Sequence, residues 1–445
     1  MAIPEGLQTA LNAIRETSIQ DSTLYARYVP EINPETDIGT FAAPIIADQT
    51  IANEFMSRLI KRIVYTQVET KMFNNKLKML EGDRIPLGAI GQEIYVNPAK
   101  GRRFNVDDFA GLLAKYDADI KVMYPSVNSD IQYPVTVSRA KLKTAFTSWS
   151  NLNDFISGIS NSLYNGAYID EYKITKNLVS DAYRTNSVQI QTVSAVSDES
   201  TGKAFVKAIR NAYLSFQEPT DENNAWAKVG GYGNAVISWS NPEDIVLLIR
   251  NDVLTNISVD VLAAAFNMNE TDFLASRVIG VDNFDKYGAD GTKVFDGSAI
   301  LALVADKSWF RIKEQDFEMD EFYNANNRTW QMYLNVVKMY QYSMFANAKV
   351  IATSAPTVNP TTITMPSTAT VVEAGTVEIP VVTDPFQANA TITYTTSAAG
   401  KATVAAKSGN NKIAVVTGVD EGSATITATC GTVSATCTVT VTAAS

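Results

Sequence analysis

The spacing of apolar side chains predicts helices at two places near the N-terminus. Residues 7–14 place Leu and Ile on one helical face, and 51–64 repeat apolar side chains every four residues. Between them, the proline-containing segment 30–44 predicts an extended run. We therefore interpret residues 1–65 as an arm that leads into a larger body.

The strongest helical pattern lies further along the chain. Leu152, Ile159 and Leu163 lie on one apolar stripe, which resumes after a glycine and continues to residue 183. Asn151 supplies an N-terminal capping signal together with an aspartate three residues later. The pattern predicts one long helix at about 151–184.

Strand and loop patterns flank this helix on both sides. Short strands are predicted at 85–88 and 91–96, and the charged segment 97–114 is predicted to form a projecting hairpin or loop. After the helix, short strands and helices alternate over 187–299, and apolar strands at 299–305 and 330–352 close the body. The mixture predicts an α+β fold without a regular βαβ repeat.

The chain changes character at a seam near residues 353–360. Beyond it, large aromatic residues are scarce, and Thr, Val, Ala and Gly alternate with period two. Segments 424–430 and 435–441 predict the two strands of a hairpin. Residues 353–445 are therefore predicted to form a small all-β sandwich that shows no chemistry of its own.

Composition and charge narrow the functional classes. Of 445 residues, 46% are hydrophobic and none is histidine, which excludes imidazole metal sites and histidine-based nucleophile activation. The net charge is −10, of which −2 falls after residue 353 and −8 before it. Such a chain lacks the basic surface with which a protein binds nucleic acid. An acidic surface is expected to keep DNA mobile rather than bound.

The N-terminus and the cysteines indicate a cytosolic origin. Residues 1–6 lack the pattern of a signal peptide, and no apolar run reaches the length of a membrane span. Cys430 and Cys437 fall in the apolar phase of their strands, so they are either two buried thiols or a cross-strand disulfide. Cytosolic synthesis favours buried thiols.

Two segments of the chain suggest ligand sites but lack the residues that such sites need. The glycine-rich segment 228–234 lacks the strand-to-helix context of a phosphate loop. An aspartate-rich segment, 282–297, fails a calcium-loop template because Lys286 and Gly288 stand where oxygen ligands are needed, so a solvated loop is favoured. The aspartates concerned are Asp282, Asp285, Asp290 and Asp296.

The remaining polar motifs carry no chemistry either. The adjacent acids Asp107–Asp108 and Asp170–Glu171 are interpreted as solvated charge, because acid–base sites need carboxylates from separate elements. Asn256, Asn269 and Asn389 match a glycosylation pattern that is irrelevant without secretion. The sequence therefore predicts no enzyme, and no catalytic, cofactor-binding or metal-binding residues.

Several long stretches resemble phi-29-type bacteriophage major capsid proteins, and they occur in order from about residue 80 to 350. The family also carries a C-terminal bacterial Ig-like group 2 module, which matches the position of the seam. The matching stretches are 85–88, 93–95, 142–151, 162–165, 169–172, 259–274, 305–310 and 345–348.

The resemblance implies a Hong Kong 97-type capsid fold followed by an all-β Ig-like sandwich. It implies self-assembly into hexamers and pentamers that form an icosahedral or prolate head around double-stranded DNA in a short-tailed phage. The implied regions are an N-terminal arm (1–65), a capsid body (66–352) and the Ig-like domain (353–445). The body comprises an extended loop (about 66–141), a spine helix (about 151–184), an axial domain (about 187–300) and a peripheral-domain return (300–352).

The implied partners are neighbouring subunits, a scaffolding protein and a portal, with no membrane and no cofactor. The start of the chain lacks a long charged pro-segment, so the scaffold is expected to be a separate protein and no proteolytic maturation is expected. The covalent crosslink of the Hong Kong 97 phage is not carried over, because no matched position shows its Lys–Asn pair. The protein is expected in the virion after synthesis in the host cytoplasm. An Ig-module-bearing surface adhesin and an unrecognised carboxylate enzyme remain the alternatives.

Overall fold

The computed structural model of the chain divides into two compact units, which are described separately. Unit 1 comprises residues 1–91, 124–175 and 312–341, and unit 2 comprises 92–123, 176–311 and 342–445. The residues that the structure describes are 3, 5–20, 24–63, 73–86, 88, 91–101, 114–229, 235–257, 278–288 and 292–443.

Unit 1 begins with helices that pack around a shared aromatic core. Phe41 contacts both Phe55, at 6.1 Å between ring centroids, and Trp149, at 5.5 Å. The helical segments with residues in this unit are Glu5–Gln20, Leu24–Tyr28, Ile38–Ala47, Gln49–Ile63, Lys78–Leu80, Arg139–Ala145 and Trp149–Arg184.

The prediction of an extended run over 30–44 is wrong for its second half. Ile38–Ala47 is a helix that contains Pro44, and the Asp37 side chain caps it by accepting a hydrogen bond from the Gly39 amide. The helix buries the side chains of Phe41 and Ile45. The free energy gained by burying them outweighs the cost of the backbone hydrogen bond that Pro44 cannot make.

The predicted long helix is confirmed as Trp149–Arg184, which runs for 36 residues without a break. It begins two residues earlier than predicted, because the Ser148 hydroxyl accepts a hydrogen bond from the Asn151 amide at 3.1 Å. Ser148, and not Asn151, is therefore the residue that caps the helix. Inside it, Gly166 lets Tyr133 approach closely, since a Cβ there would lie 3.2 Å from the Tyr133 ring.

A three-stranded antiparallel sheet completes unit 1, in the order Phe310–Asn324, Thr329–Tyr342, Ser129–Ser138. Thr329 pairs with Ser138 and Lys338 pairs with Ser129 at the two ends of the second ladder. The sequence pattern did not predict the first of these strands, which carries charged residues along much of its length.

Unit 2 is built around a five-stranded mixed sheet whose central strand, Ile300–Asp306, is buried at every position. Helix Glu199–Ser215 packs Phe205 and Ile209 into the core beside this sheet. The strand order is Gln189–Thr192, Ala348–Ala352, Ile300–Asp306, Ile245–Arg250 and Val278–Val281.

The predicted loop at 282–297 contains a short hairpin, formed by Lys286–Tyr287 and Lys293–Phe295. The loop prediction is wrong at these residues, which pair in an antiparallel ladder. The other short helical segments of unit 2 are Trp226–Val229, Pro242–Asp244, Asn251–Thr255 and Lys307–Trp309.

The C-terminal module, residues 353–443, consists of β-strands that bury alternate side chains. The predicted hairpin is confirmed as Gly422–Cys430 paired with Val433–Thr442. The remaining strands are Thr362–Thr364, Thr368–Val372, Thr376–Pro380, Val382–Asp384, Thr393–Thr396, Ala402–Lys407 and Asn410–Gly418.

Both cysteines are free and buried in this module. Cys437 pairs with Ile426, whereas Cys430 pairs with Val433 at the turn end of the ladder. Because Cys437 and Val433 lie four residues apart on one strand, about 13 Å separates the two cysteines, beyond the roughly 7 Å that a disulfide permits. The interpretation as buried thiols is confirmed.

Candidate assembly surface and buried charge cluster

A two-stranded ribbon in unit 2 presents two different faces. It consists of Glu93–Val96 and Ile120–Met123, which pair antiparallel so that Glu93 faces Met123 and Val96 faces Ile120. The strand predicted at 91–96 is confirmed, whereas Ile85 and Pro86 form no strand. The projecting segment predicted at 97–114 lies mostly outside the described residues.

The inner face of the ribbon is anchored in unit 2. The buried Glu93 carboxylate accepts hydrogen bonds at Oε1 from Arg311 Nη2, at 2.6 Å, and from Ser343 Oγ, at 2.5 Å. Tyr95 packs on Phe345 at 5.7 Å between ring centroids, and its hydroxyl donates to the Ile237 carbonyl. A charge-assisted bond and an aromatic contact therefore fix the orientation of this short ribbon.

The outer face of the ribbon is apolar and exposed. Ile94 and Val96 are each 54% exposed, and Ile120 on the paired strand is 53% exposed. Val122 lies opposite Ile94 in the same row. The free face of this two-stranded sheet is aliphatic, so covering it with another protein would remove apolar surface from water and would be favourable.

Unit 1 contains a buried cluster of opposite charges around Lys338. Its side chain is only 3% exposed, and Nζ lies 2.8 Å from Glu81 Oε1 and 3.0 Å from Glu171 Oε2. Glu314 approaches the same Nζ at 3.6 Å. Three parts of the chain meet here, because Glu81 follows a short helix, Glu171 lies on the long helix, and Lys338 and Glu314 lie on neighbouring strands.

A second lysine and an asparagine complete the cluster. Lys78 forms an ion pair with Glu81 and lies 3.6 Å from Glu171 Oε2. Asn75 Nδ2 donates to the other oxygen of Glu171 at 3.0 Å. Arg84 Nε lies 3.8 Å from Glu314 Oε1, so the three carboxylates are matched by two lysines and one arginine.

The pKa values follow from this arrangement. Burial alone would lower the pKa of Lys338, but Glu171 and Glu81 outweigh it, so that the pKa is raised above 10.5. Burial alone would raise the pKa of Glu81, but hydrogen bonds from Lys338 and Lys78 outweigh it and hold the pKa below 4.5. Lys338 and Glu81 therefore remain charged at neutral pH.

A cavity of about 260 Å³ lies beside the cluster within unit 1. Tyrosine rings form much of its wall, and burial raises the pKa of Tyr164 to about 12. On its wall, the Tyr133 hydroxyl donates to Asp170 Oδ2 at 3.3 Å, and Lys338 pairs with Glu171. These contacts join the strands of unit 1 to the long helix.

The charge cluster predicts a specific dependence of stability on pH. Since the pKa of Glu81 is lowered by folding, its contribution is present above pH 4.5 and is lost as the pH falls through the folded value. The contribution of Lys338 is present below pH 10.5 and is lost as the pH rises through its higher folded value. The free energy of unfolding of the Glu81→Gln chain, measured by denaturation between pH 3 and 7, should fall less toward acid pH than that of the parent chain. Parallel profiles would contradict this prediction.

Comparison with known proteins identifies the chain. A family model described as the Phi29-like phage major capsid protein matches residues 11–352. The chain belongs to this family. The match ends at the seam, so the C-terminal module lies beyond it.

Individual relatives agree with this assignment. The major capsid protein of Bacillus phage PZA is 30% identical over 368 residues, covering 82% of this chain and 77% of the relative. The major capsid protein of Streptococcus phage Cp-1 is 27% identical and covers 76% of this chain and 92% of the relative. The chain is therefore a major capsid protein of a bacteriophage, and the resemblance of its body to phi-29-type major capsid proteins is confirmed.

The fold agrees as well. The capsid structure of Staphylococcus phage Andhra matches 65% of this chain and 88% of that chain, with a TM-score of 0.53 and 13% identity. At that identity the match shows a shared fold. This capsid protein accordingly has the mixed α/β fold of phage capsid proteins.

The adjacent acids Asp170 and Glu171 lie in different environments. Glu171 was predicted to be solvated, which is wrong, because it is buried and paired with Lys338; its neighbour Asp170 pairs at the surface with Lys173. The available signal is the i, i+4 spacing of Glu171 from the buried Ala167, which itself follows the buried Leu163 by four residues.

The aspartate-rich segment of this capsid protein is neutralised by lysines. Asp282 pairs with Lys176, and both Asp285 and Asp296 pair with Lys293. Asp290 lies outside the described residues, as do Asn269, Asp107, Asp108, residues 230–234 and the matched stretch 259–274. Within the described ranges no group of three or more ligating side chains could hold a metal ion, and no helix is long and apolar enough to cross a membrane.

Proposed function

We propose that this capsid protein is a Hong Kong 97-type subunit that assembles as hexamers and pentamers into the icosahedral or prolate head of a short-tailed phage. The observation that carries the proposal is the ribbon, whose inner face is anchored and whose outer face is apolar and exposed. In this assignment residues 1–65 are the arm, about 66–141 the extended loop, about 151–184 the spine helix, about 187–300 the axial domain and 300–352 the peripheral return.

The ribbon is proposed to cover a neighbouring subunit. Ile94, Val96 and Ile120 would lose their exposure in such a contact. Because each is about half exposed, covering it contributes about half of the roughly 1.5–3 kcal/mol gained by burying a fully exposed aliphatic side chain. A contact of this size is weak alone, but the closed symmetry of a shell repeats it in every subunit.

Residues 353–445 are proposed to be a bacterial Ig-like group 2 domain displayed by the shell. Support comes from its all-β strands, its alternating burial and its position after the family match. We further propose a separate scaffolding protein and a portal as partners, encapsidated double-stranded DNA that is contained without specific binding, and assembly in the host cytoplasm. The acidic net charge supports containment without adhesion.

Removal of the C-terminal module is expected to leave an assembling body, provided that the cut follows residue 354. Ala352 belongs to the central sheet, and its carbonyl accepts a hydrogen bond from Val193. The Ser354 carbonyl accepts another from Tyr183, at 2.6 Å. A chain of residues 1–354 should remain soluble and form particles in sedimentation assays, whereas one ending at 351 should yield less folded protein. An insoluble 1–354 chain would refute the independence of the body.

Electron microscopy of the expressed chain tests the proposed function. Co-expression with a phage scaffolding protein should give closed shells, tubes or sheets in negative stain. A protein that remains monomeric under these conditions would contradict shell assembly. It would favour the adhesin alternative only if the isolated C-terminal module also bound cell surfaces.

A further inference from the structure

The seam between body and module is bound at both ends. On the body side, the Thr353 amide donates to the Ala299 carbonyl at 2.8 Å, and Tyr183 Oη donates to the Ser354 carbonyl at 2.6 Å. These bonds tie the first two residues of the seam to the long helix and to the strand region before residue 300. The seam therefore leaves the body in a defined direction.

The second half of the seam is bound by the module. Asn389 Nδ2 donates to the Pro356 carbonyl at 2.9 Å, and its Oδ1 accepts from the Val358 amide at 2.7 Å. The backbone amide of Asn389 also donates to the Val358 carbonyl, at 3.0 Å. The seam thus acts as a short strap, with residues 353–354 held by the body and 356–358 held by the module.

The long helix is followed by an asparagine, Asn186, at a position where glycine is the commonest residue. Asn186 has a φ of 55°, in the left-handed region. Its amide donates to the Tyr183 carbonyl at 2.9 Å, and the Ser187 amide donates to the Ala182 carbonyl at 2.8 Å. This pattern is a Schellman motif, in which glycine is the commonest residue at the left-handed position.

The Asn186 side chain explains why glycine is absent there, because both ends of its amide are used. Nδ2 donates to the Gln387 carbonyl of the module at 2.8 Å. Oδ1 accepts from Lys228 Nζ at 2.9 Å, and the same Nζ donates to the Val188 carbonyl at 2.9 Å. Lys228 therefore holds the asparagine in the rotamer that reaches the module.

We propose that Asn186, held by Lys228, is a latch that sets one orientation of the C-terminal module on the body. A single attachment through the strap would leave the module free to turn about the seam. The bond from Asn186 to Gln387 adds a second attachment away from the strap, and two separated attachments remove that rotation. Asn186 is thus a positioning residue for whatever surface the module presents, which goes beyond shell formation itself.

Two substitutions at Asn186 test its side-chain contact with the module separately from its role in ending the helix. Asn186→Gly keeps the left-handed backbone without strain and removes the side chain. Asn186→Asp keeps the shape and the contact with Lys228, but it replaces the donor to Gln387 with a carboxylate oxygen that cannot donate. If the glycine variant fails to fold, the aspartate variant decides the question alone.

The orientation is measured by pulsed electron–electron resonance on the full-length, unassembled chain. Nitroxides are placed through Ser200→Cys on the body and Ser434→Cys on the module, two exposed positions, while Cys430 and Cys437 stay buried. The parent is expected to give one narrow distance distribution, and both Asn186 variants are expected to lose it. Circular dichroism checks that the variants remain folded.

Two results would overturn the latch. One is a narrow distribution that persists in a folded Asn186→Gly or Asn186→Asp chain. The other is a broad distribution in the parent itself. Because the measurement uses unassembled protein, neither result depends on whether the chain forms shells.

Discussion

Replacement of Lys338 by methionine should lower the free energy of unfolding of unit 1 by about 3–5 kcal/mol, the cost of removing one partner from a buried ion pair. Methionine retains most of the aliphatic stem, so the loss is mainly that of the charge. Glu81 and Glu171 then face each other with only Lys78 left between them. Chemical denaturation of the unassembled chain measures the change.

Lys173→Met provides the matched control, because Lys173 also pairs with an acid on the long helix but is 62% exposed. Its effect should stay below about 0.5 kcal/mol, as is usual for surface pairs. Adding Glu81→Gln and Glu171→Gln to the Lys338→Met chain should restore part of the stability by removing the unpaired charges. Equal effects of Lys338→Met and Lys173→Met would show that the cluster does not hold unit 1 together.

The double substitution Ile94→Lys and Val96→Lys should abolish shell formation without unfolding the subunit. Both side chains are exposed in the single chain, so lysine costs little there. In the proposed shell the same positions are covered, and an unpaired buried charge costs several kcal/mol at every repeated contact. Particle yield from sedimentation, with circular dichroism as a folding check, measures the effect.

Val372→Lys serves as the comparison for the ribbon. Val372 is an aliphatic residue of the C-terminal module with 51% exposure, similar to that of Ile94, and it is changed together with Val382→Lys, at 50% exposure, so that the control also gains two lysines. Particle yield should be unchanged, because the body is expected to assemble without the module. A normal yield from the ribbon variant would mean that its apolar face is not an interface.

The elements that could be predicted from the sequence are those whose burial is one-sided and local. The long helix is marked by Leu152, Ile159 and Leu163 on one stripe, and the hairpin of Gly422–Cys430 with Val433–Thr442 by strict alternation. In both cases neighbouring positions in the sequence share one environment, so the period reveals the structure.

The elements that were missed depend on partners distant in the sequence. Strand Phe310–Asn324 carries many charged residues, among them Glu314, which approaches Lys338 on the neighbouring strand, and these charges hide its alternation. Glu171 is buried beside Lys338 and Asn75, both of which are far from it along the chain. The helix around Pro44 forms because Phe41 packs on Phe55 and Trp149, a contact that propensity alone does not encode.

The most direct test of the account is a cryo-electron microscopy reconstruction of shells assembled from this chain. The account predicts clusters of six and five subunits in which the outer face of the ribbon, with Ile94, Val96 and Ile120, lies against a neighbouring subunit. A closed shell whose ribbons point into solvent, or particles without sixfold and fivefold clusters, would contradict it.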